Sequence, residues 1–473
     1  GVDPAPLSAA WSYMLNQAEI GMTCALGSGG DMVLRLAEEF APPDVKARVR
    51  ELMGDDEMGG QAAQMLTERT GGSDLAALET TATPAGDSWR LNGFKWFASN
   101  ANGSVFVVLA KPEGAPDGSR GIAPFLVLWE RRDGTRNGVR IRRLKDKLGT
   151  RAVASAEVEF VDAEAFMLAP AVDATLPPGG AAAHESGASG AGDGRGLARM
   201  MELTNGARLG IAMMGLGCAR RAMVESVSYA RAREAFGTAL IDQPLVQRKL
   251  AELVVEVEAA QALVFDGYLG PRLRLGAPLI KLRAARLGIT AASDAVEIHG
   301  GNGYIEQWSV ARLLRDAQVN TIWEGPDNIL CLDVRRAMVR DQAHVPFLAR
   351  VREALRAAPS DAPDGGRTTE LVTAALAGLE SAVEAWRGLD GRMAEARLYP
   401  LAQLMVDVYA AALLVQQSGI EQRAGGGTRK ALVAALYART HLEADRLSVF
   451  RAPPDDLDRF KELVDGALVD DRA

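Results

Sequence analysis

The spacing of apolar residues changes twice along this chain, and that limits the folds open to it. From Pro4 to about Gln64, Ala, Leu, Met and Glu recur at helical spacing, with breaks at Gly27–Gly30 and Pro42–Pro43. From Met65 to about Leu168 the period becomes that of strands. Val105–Leu109, Phe125–Trp129, Val139–Leu144 and Ala156–Phe160 follow one another with turn residues between them. Within Trp89–Phe97, Asn92-Gly93 stands between apolar-rich arms and predicts a hairpin turn, because type I′ turns need positive φ at both central residues. The helical period returns at about Leu197, over 207–233, 243–269, 278–299 and 325–340. After a Pro/Gly/Asp-rich break at Asp361–Arg367 it continues over 368–390, 393–419, 428–450 and 455–468. Successive strands without helices between them argue for an α+β chain with an antiparallel β-domain and against a Rossmann unit.

These changes divide the 473 residues into an N-terminal helical part (1–64), a barrel-like β-domain (65–169), a linker (170–196) and two helical stretches parted at Asp361–Arg367. The linker is Pro, Gly, Ala and Ser with almost no large apolar residue, so it cannot offset its ordering entropy and is expected to be flexible. Acidic residues outnumber basic ones by 61 to 53, a net charge of −8, which argues against a chain-wide nucleic-acid binder. No apolar run approaches the roughly 18 residues of a membrane span; Tyr409–Val415 is far too short. Cys24, Cys218 and Cys331 are odd in number and far apart, the usage of a reducing, cytoplasmic compartment. The histidines are His184, His299, His344 and His441, without an HExxH pattern, so no metal centre is expected. Gly1 opens the sequence, and the absence of a targeting signal before the first helix excludes no leader.

Generic motifs are scarce. There is no GxxxxGK[ST], no GxSxG and no GxGxxG between a strand and a helix. The turn Thr70-Gly-Gly-Ser-Asp74 could cradle a phosphate with its amides, although such a turn alone is more often an ordinary loop. In Ile322-Trp-Glu-Gly-Pro-Asp-Asn-Ile329, Pro326 fits a first helical position and Glu324 falls in the turn before it. Taken alone, Glu324 reads as an acid complementing the helix dipole. Arg142, Arg143, Lys145 and Lys147 read as a solvated strand edge, Trp308 as a core aromatic and His299 as a helix end before Gly300-Gly301.

Five separated segments change that balance. Met65-Leu-Thr-Glu-Arg-Thr-Gly-Gly-Ser-Asp74, Gly93-Phe-Lys-Trp-Phe-Ala-Ser99, Arg233-Glu-Ala-Phe-Gly237, His299-Gly-Gly-Asn-Gly-Tyr304 and Ile322-Trp-Glu-Gly325 together resemble the acyl-CoA dehydrogenase family, in its order. The forms of these segments, with Leu144-Lys-Asp-Lys-Leu-Gly149, are most similar to its AidB-like branch, whose extra C-terminal helical region matches the residues after about Val345. That resemblance implies a helical bundle (197–344) followed by an extra helical domain (345–473). The resemblance implies a flavoprotein that binds FAD through Met65, Thr67, Gly72, Ser73, Phe97 and Ser99, with Thr67 at the pyrimidine edge, Ser73 near the phosphates and Phe97 on the ring system. Arg233, Phe236, Gly300 and Gly301 match positions that hold the FAD of a neighbouring subunit, which implies a homo-oligomer, usually a tetramer. Arg208, Gly325 and Ser73 match substrate positions, and Glu324 matches the catalytic base. The other position that supplies a base in some members is Ala207 here.

The implied activity is α,β-dehydrogenation of an acyl-CoA or related thioester, with electrons passed to an electron-transfer flavoprotein. Such chemistry needs a carboxylate in a dry pocket and donors to the developing enolate, while the cofactor takes the hydride. The chain departs from the family at Pro326, where a hydroxyl residue is usual; Asn328 is then the nearby polar candidate for the flavin. Two alternatives have other signatures. A DNA-associated protective flavoprotein would need a basic tail, yet residues 345–473 carry 16 basic and 19 acidic side chains. A flavin monooxygenase on the same fold needs no α-proton base, and Glu324 speaks against it.

Overall fold

The computed structural model describes residues 4–27, 30–54, 61–168, 196–359, 362–364, 366–443 and 459–466. They form two compact units: Gly21–Ala207, and Gly1–Ile20 with Arg208–Ala473. The expected linker at 170–196 lies outside the described residues except for Gly196, and His184 lies outside them too.

The first unit is built on a sheet. Its helices include α2 (Ile20–Gly27), which begins at the unit boundary, α3 (Gly30–Phe40) and α4 (Pro43–Met53). The strands are β1 (Ala62–Met65), β2 (Thr81–Ala85), β3 (Ser88–Ser99), β4 (Val105–Pro112), β5 (Ala123–Leu128), β6 (Val139–Leu144) and β7 (Ser155–Met167). The pairings β4–β2–β3–β7–β5–β4 close a ring, with β1 added on β4 and β6 on β7. Closure leaves the ring strands little open edge, while β6, paired with β7 alone among the described residues, keeps one. The expected antiparallel domain is therefore mixed: β4 runs parallel to both β1 and β2.

Closure also accounts for the unbroken apolar run of β4. Phe106, Val108 and Ala110 point into one buried cluster, while Val105, Val107 and Leu109 pack in another with Val33, Leu36, Val45 and Val49 of α3 and α4. Both faces of the strand are dry, so both sets of positions are apolar.

The hairpin expected at Asn92-Gly93 is not there. Both residues lie inside β3, which runs unbroken from Ser88 to Ser99, and the turn comes earlier, at Gly86 with φ +68°. Gly93 serves close packing instead: a Cβ there would lie 2.3 Å from Thr80 Oγ1. The Asn92 Oδ1 accepts a hydrogen bond from the Asp162 amide at 2.9 Å, beside a register shift between β3 and β7.

The second unit is helical. It contains α1 (Ala5–Ala18), the greater part of α5 (Gly196–Ala232, which crosses the unit boundary), α6 (Pro244–Leu269), α7 (Gly276–His299), α8 (Ser309–Ala317) and α9 (Asp327–Asp341). A two-residue hairpin, β8 (Glu234–Ala235) with β9 (Thr238–Ala239), follows α5. Then come α10 (His344–Arg356), α11 (Arg367–Arg387), α12 (Gly391–Ala396), α13 (Leu398–Arg423), α14 (Arg429–Leu442) and α15 (Phe460–Asp465). The periodicity reading had no helix at α8 or α10, and it ran α12 and α13 together.

The helices beyond residue 345 share this unit with α6–α9, because α13 packs on α6, α7 and α9. Buried polar pairs reinforce the joint. Asp266 of α6 pairs with Arg350 of α10 at 2.5 Å and accepts the Tyr409 hydroxyl of α13, and Glu258 of α6 binds Arg429 and Lys430 of α14. α13 also corrects the membrane reading. It is 26 residues long and apolar enough to cross a bilayer, but 72% of its apolar window is buried among the other helices, as in the core helix of a bundle.

Candidate active site

Glu324 ends the segment between α8 and α9, just before the helix start. Pro326 occupies the N-cap with φ −60°, one position earlier than expected, and Asp327 opens the helix. The turn in front is left-handed twice over, with φ +55° at Glu324 and +102° at Gly325. A residue with a Cβ in that region carries strain of about 1–3 kcal/mol and persists only when its surroundings hold it.

Two buried cations hold this turn. Arg208 of α5, 2% exposed, donates from Nε to the Glu324 carbonyl at 3.2 Å. Lys281 of α7, with no exposed surface, donates from Nζ to the Gly325 carbonyl at 2.6 Å. Arg208 also binds Asp333 of α9 at 2.5 Å, and Arg274 grips the same carboxylate at 2.5 and 3.0 Å. Burial pushes the Asp333 carboxyl up, but its two arginines outweigh that and hold it below the usual range. For Glu324 the balance is reversed: burial raises its pKa, and the charges of Arg208 and Lys281 offset only part of the rise. The result is a carboxylate with raised basicity, as proton abstraction requires.

The other candidates form two further groups. In the β unit, the loop after β1 closes at a bridge between Glu68 and Gly71 and is tied to β3 by the Trp96 amide donating to the Thr67 carbonyl at 2.9 Å. Gly72 lies so close to Thr67 that a Cβ would stand 3.0 Å from its Oγ1, while Gly72 and Ser73 are exposed. A register shift between Lys95 and Ala98 turns Phe97 outward, 51% exposed, with Ser99 half-buried two residues on. Met65, at the end of β1, is fully buried in the β-cluster. Under the loop, Lys95 and Glu68 make a buried 2.6 Å ion pair, and the Glu68 carboxylate also accepts from Thr80. Burial lowers the Lys95 pKa to about 8.

In the helical unit, Arg233 and Phe236 stand on the β8–β9 hairpin, whose turn is Phe236-Gly237 with φ +54° and +82°. Arg233 is exposed and Phe236 is 98% exposed. Gly300 caps α7 with φ +58°, and both it and Gly301 are exposed. Tyr229 connects the two places: its ring stacks on His299 at 4.2 Å and its hydroxyl accepts from Asn302 at 3.1 Å. Trp308, half-buried and so not the core aromatic expected, packs edge-on to both rings. Asn328 is exposed on the first turn of α9. The basic run on β6 is charge-paired: Arg143 and Lys145 bind Glu157 at 2.6 and 2.8 Å.

Arg208, Glu324 and Gly325 are thus brought together in one cluster, and Thr67 meets Gly72. Lys281, Arg274, Asp333, Glu68 and Lys95 were not anticipated as site-building residues. Glu68 and Lys95 lie inside two of the segments that carry the resemblance, Lys281 is a charged side chain on an otherwise apolar helix face, and Arg274 and Asp333 had no signal in the sequence.

The acyl-CoA dehydrogenase middle-domain family model matches residues 63–163, and the acyl-CoA dehydrogenase C-terminal-domain model matches residues 194–339. The chain belongs to the acyl-CoA dehydrogenase family. Its similarity to putative acyl-CoA dehydrogenase AidB of Escherichia coli is 33% identity over 61% of this chain and 50% of that protein. Acyl-CoA dehydrogenase family member 11 of Caenorhabditis elegans is 30% identical over 82% of this chain and 65% of its own length. The chain therefore spans half to two thirds of these relatives. Among solved structures, Caenorhabditis elegans ACDH-11 in complex with C11-CoA superposes with a TM-score of 0.78 at 26% identity, covering 97% of this chain and 76% of that one. A Bacillus anthracis acyl-CoA dehydrogenase complexed with FAD shares the fold, with a TM-score of 0.76 at 20% identity over 97% of this chain and 84% of that one. In family terms, the first model covers the closed sheet and the second covers α5 to α9.

Proposed function

We propose that this chain is an FAD-dependent acyl-CoA dehydrogenase that removes hydrogen from the α and β carbons of an acyl thioester. The observation that carries the reading is Glu324, a carboxylate of raised basicity on a turn held by Arg208 and Lys281, at the family's base position. Family membership and a relative solved with C11-CoA support the substrate class.

The β unit fits the cofactor. Gly72 lets the loop fold against Thr67 with Ser73 exposed beside it, and Phe97 offers an outward aromatic face for a flat ring. In this reading Thr67, Gly72, Ser73, Phe97 and Ser99 hold the FAD, which when bound supplies the hydride acceptor. Glu324 takes the α-proton, and its own N–H is the donor assigned to the thioester carbonyl. Arg208 fixes the Glu324–Gly325 peptide through its carbonyl. An electron-transfer flavoprotein is the proposed onward acceptor, a homotetramer the proposed assembly and a cytoplasmic location the proposed setting.

Anaerobic mixing of the FAD-loaded protein with a panel of acyl-CoA thioesters tests the reading. At least one chain length is expected to bleach the flavin absorbance. A panel that leaves the spectrum unchanged throughout would overturn it.

A further inference from the structure

Lys281 has no exposed surface and lies in the second turn of α7, yet among the described residues its one hydrogen bond is to a backbone carbonyl, that of Gly325. A buried ammonium costs several kcal/mol unless something compensates it, so its retention beside Glu324 calls for a reason. The charges acting on it are Asp327 from α9, Arg208 from α5, Glu324 from the turn itself and Arg286 from α7. Asp333 is shared by Arg208 and Arg274, and Asp327 Oδ2 is bound by Arg286 at 2.7 Å. Asp327 Oδ1 is buried without a hydrogen-bond partner among the described residues, and Lys281 bonds the Gly325 carbonyl instead of reaching it. Each acid of α9 therefore already has an arginine. Asp327 pulls on Lys281 more strongly than any other acid, and the carboxylate of Glu324, one residue from the carbonyl Lys281 holds, is its second counter-charge.

We propose that Lys281 is a positioning residue that holds the Glu324–Gly325 turn through the Gly325 carbonyl and, by its charge, favours the ionised carboxylate of Glu324. The proposal rests on the reading of Glu324 as the base. Together with Arg208 it makes a two-point clamp: one cation fixes the peptide after Glu324, the other the peptide after Gly325. With both carbonyls held, the left-handed turn keeps its shape without the next residue's amide, which Pro326 lacks. Burial lowers the Lys281 pKa to about 8, against the opposing pull of Asp327 and Glu324, so at neutral pH the charge is present.

Two variants separate the roles. Lys281→Gln keeps a donor for the carbonyl and removes the charge; Lys281→Met removes both. Glu324 is titrated without turnover by infrared difference spectroscopy of the FAD-loaded protein, each spectrum taken against the same protein carrying Glu324→Gln. The protonated-carboxyl band is expected to persist to higher pH in both variants, and each pH unit of that movement costs about tenfold in the ionised fraction on its acid side. In stopped-flow flavin reduction, the rate plateau at high pH should be kept by Lys281→Gln and fall on the order of tenfold to a hundredfold in Lys281→Met, since a misplaced base costs about that much. An unmoved carboxyl band in both variants would overturn the proposal, and the Gln variant alone decides the charge role if the Met variant does not fold. Thioesters that never reduce the wild-type flavin, with a band that moves as expected, would sink the dehydrogenase reading and leave the electrostatic link standing.

Discussion

Glu324 combines three properties that rarely coincide in a residue placed for stability alone: a left-handed backbone, a half-buried side chain whose desolvated carboxyl has a raised pKa, and two buried cations committed to the carbonyls beside it. Glu324→Gln keeps the shape but cannot accept a proton. It is expected to fold, retain FAD and bind thioester, while anaerobic flavin reduction falls by on the order of 10²–10⁴. Unchanged kinetics would move the base elsewhere. The pH dependence has a definite sign. A base works ionised, so the rate should rise with pH through the Glu324 titration, and because the folded pKa is raised, that limb lies above the ordinary carboxylate range. A profile flat down to that range, measured by single-turnover reduction, would contradict the burial argument. Glu324 was legible because its motif is contiguous. Lys281 and Asp333 were not, because their meaning arises only when α7 and α9 come together at the turn.

At the scale of elements, the outcome turned on what a local signal was for. Asn92-Gly93 carries the composition of a hairpin turn, but Gly93 is small because Thr80 crosses it, and tertiary packing overrode the turn propensity. Phe236-Gly237 uses positive φ at both positions and does make a hairpin, presenting an almost fully exposed Phe236 with Arg233 beside it. An aromatic side chain left so open on an ordered turn fits contact with another chain or a cofactor. Arg233→Ala is expected to weaken FAD retention without unfolding the protein, by loss of a charge-assisted phosphate contact. Calorimetric FAD titration measures this, with light scattering in parallel; full retention in a stable monomer would count against a site completed by a neighbour.

For the whole molecule, the polar pairs between α6 and the C-terminal helices matter most. Glu258, 5% exposed at its side chain, binds Arg429 and Lys430, and Asp266 binds Arg350 and Tyr409. Removing one partner of such a pair strands a buried charge, so Glu258→Ala should cost on the order of 3–5 kcal/mol in urea unfolding. The helical unit is expected to unfold in one transition, with the emission of Trp386 in α11 tracking the far-ultraviolet signal; two separated transitions would show that the helices after 345 fold by themselves. Periodicity by itself determined the helix–β–helix order and most of the helices, since it reports which face of an element is buried. Contiguous motifs determined the family and Glu324, since those residues act through backbone shape that neighbours in the chain can fix. Ring closure of the sheet, its parallel pairs, the place of the C-terminal helices and the clamp on the Glu324 turn were decided only by the tertiary structure. Each depends on residues tens to hundreds of positions apart, such as Lys281 with Gly325 and Glu258 with Arg429, and a buried charge is meaningful only when its partner is in view.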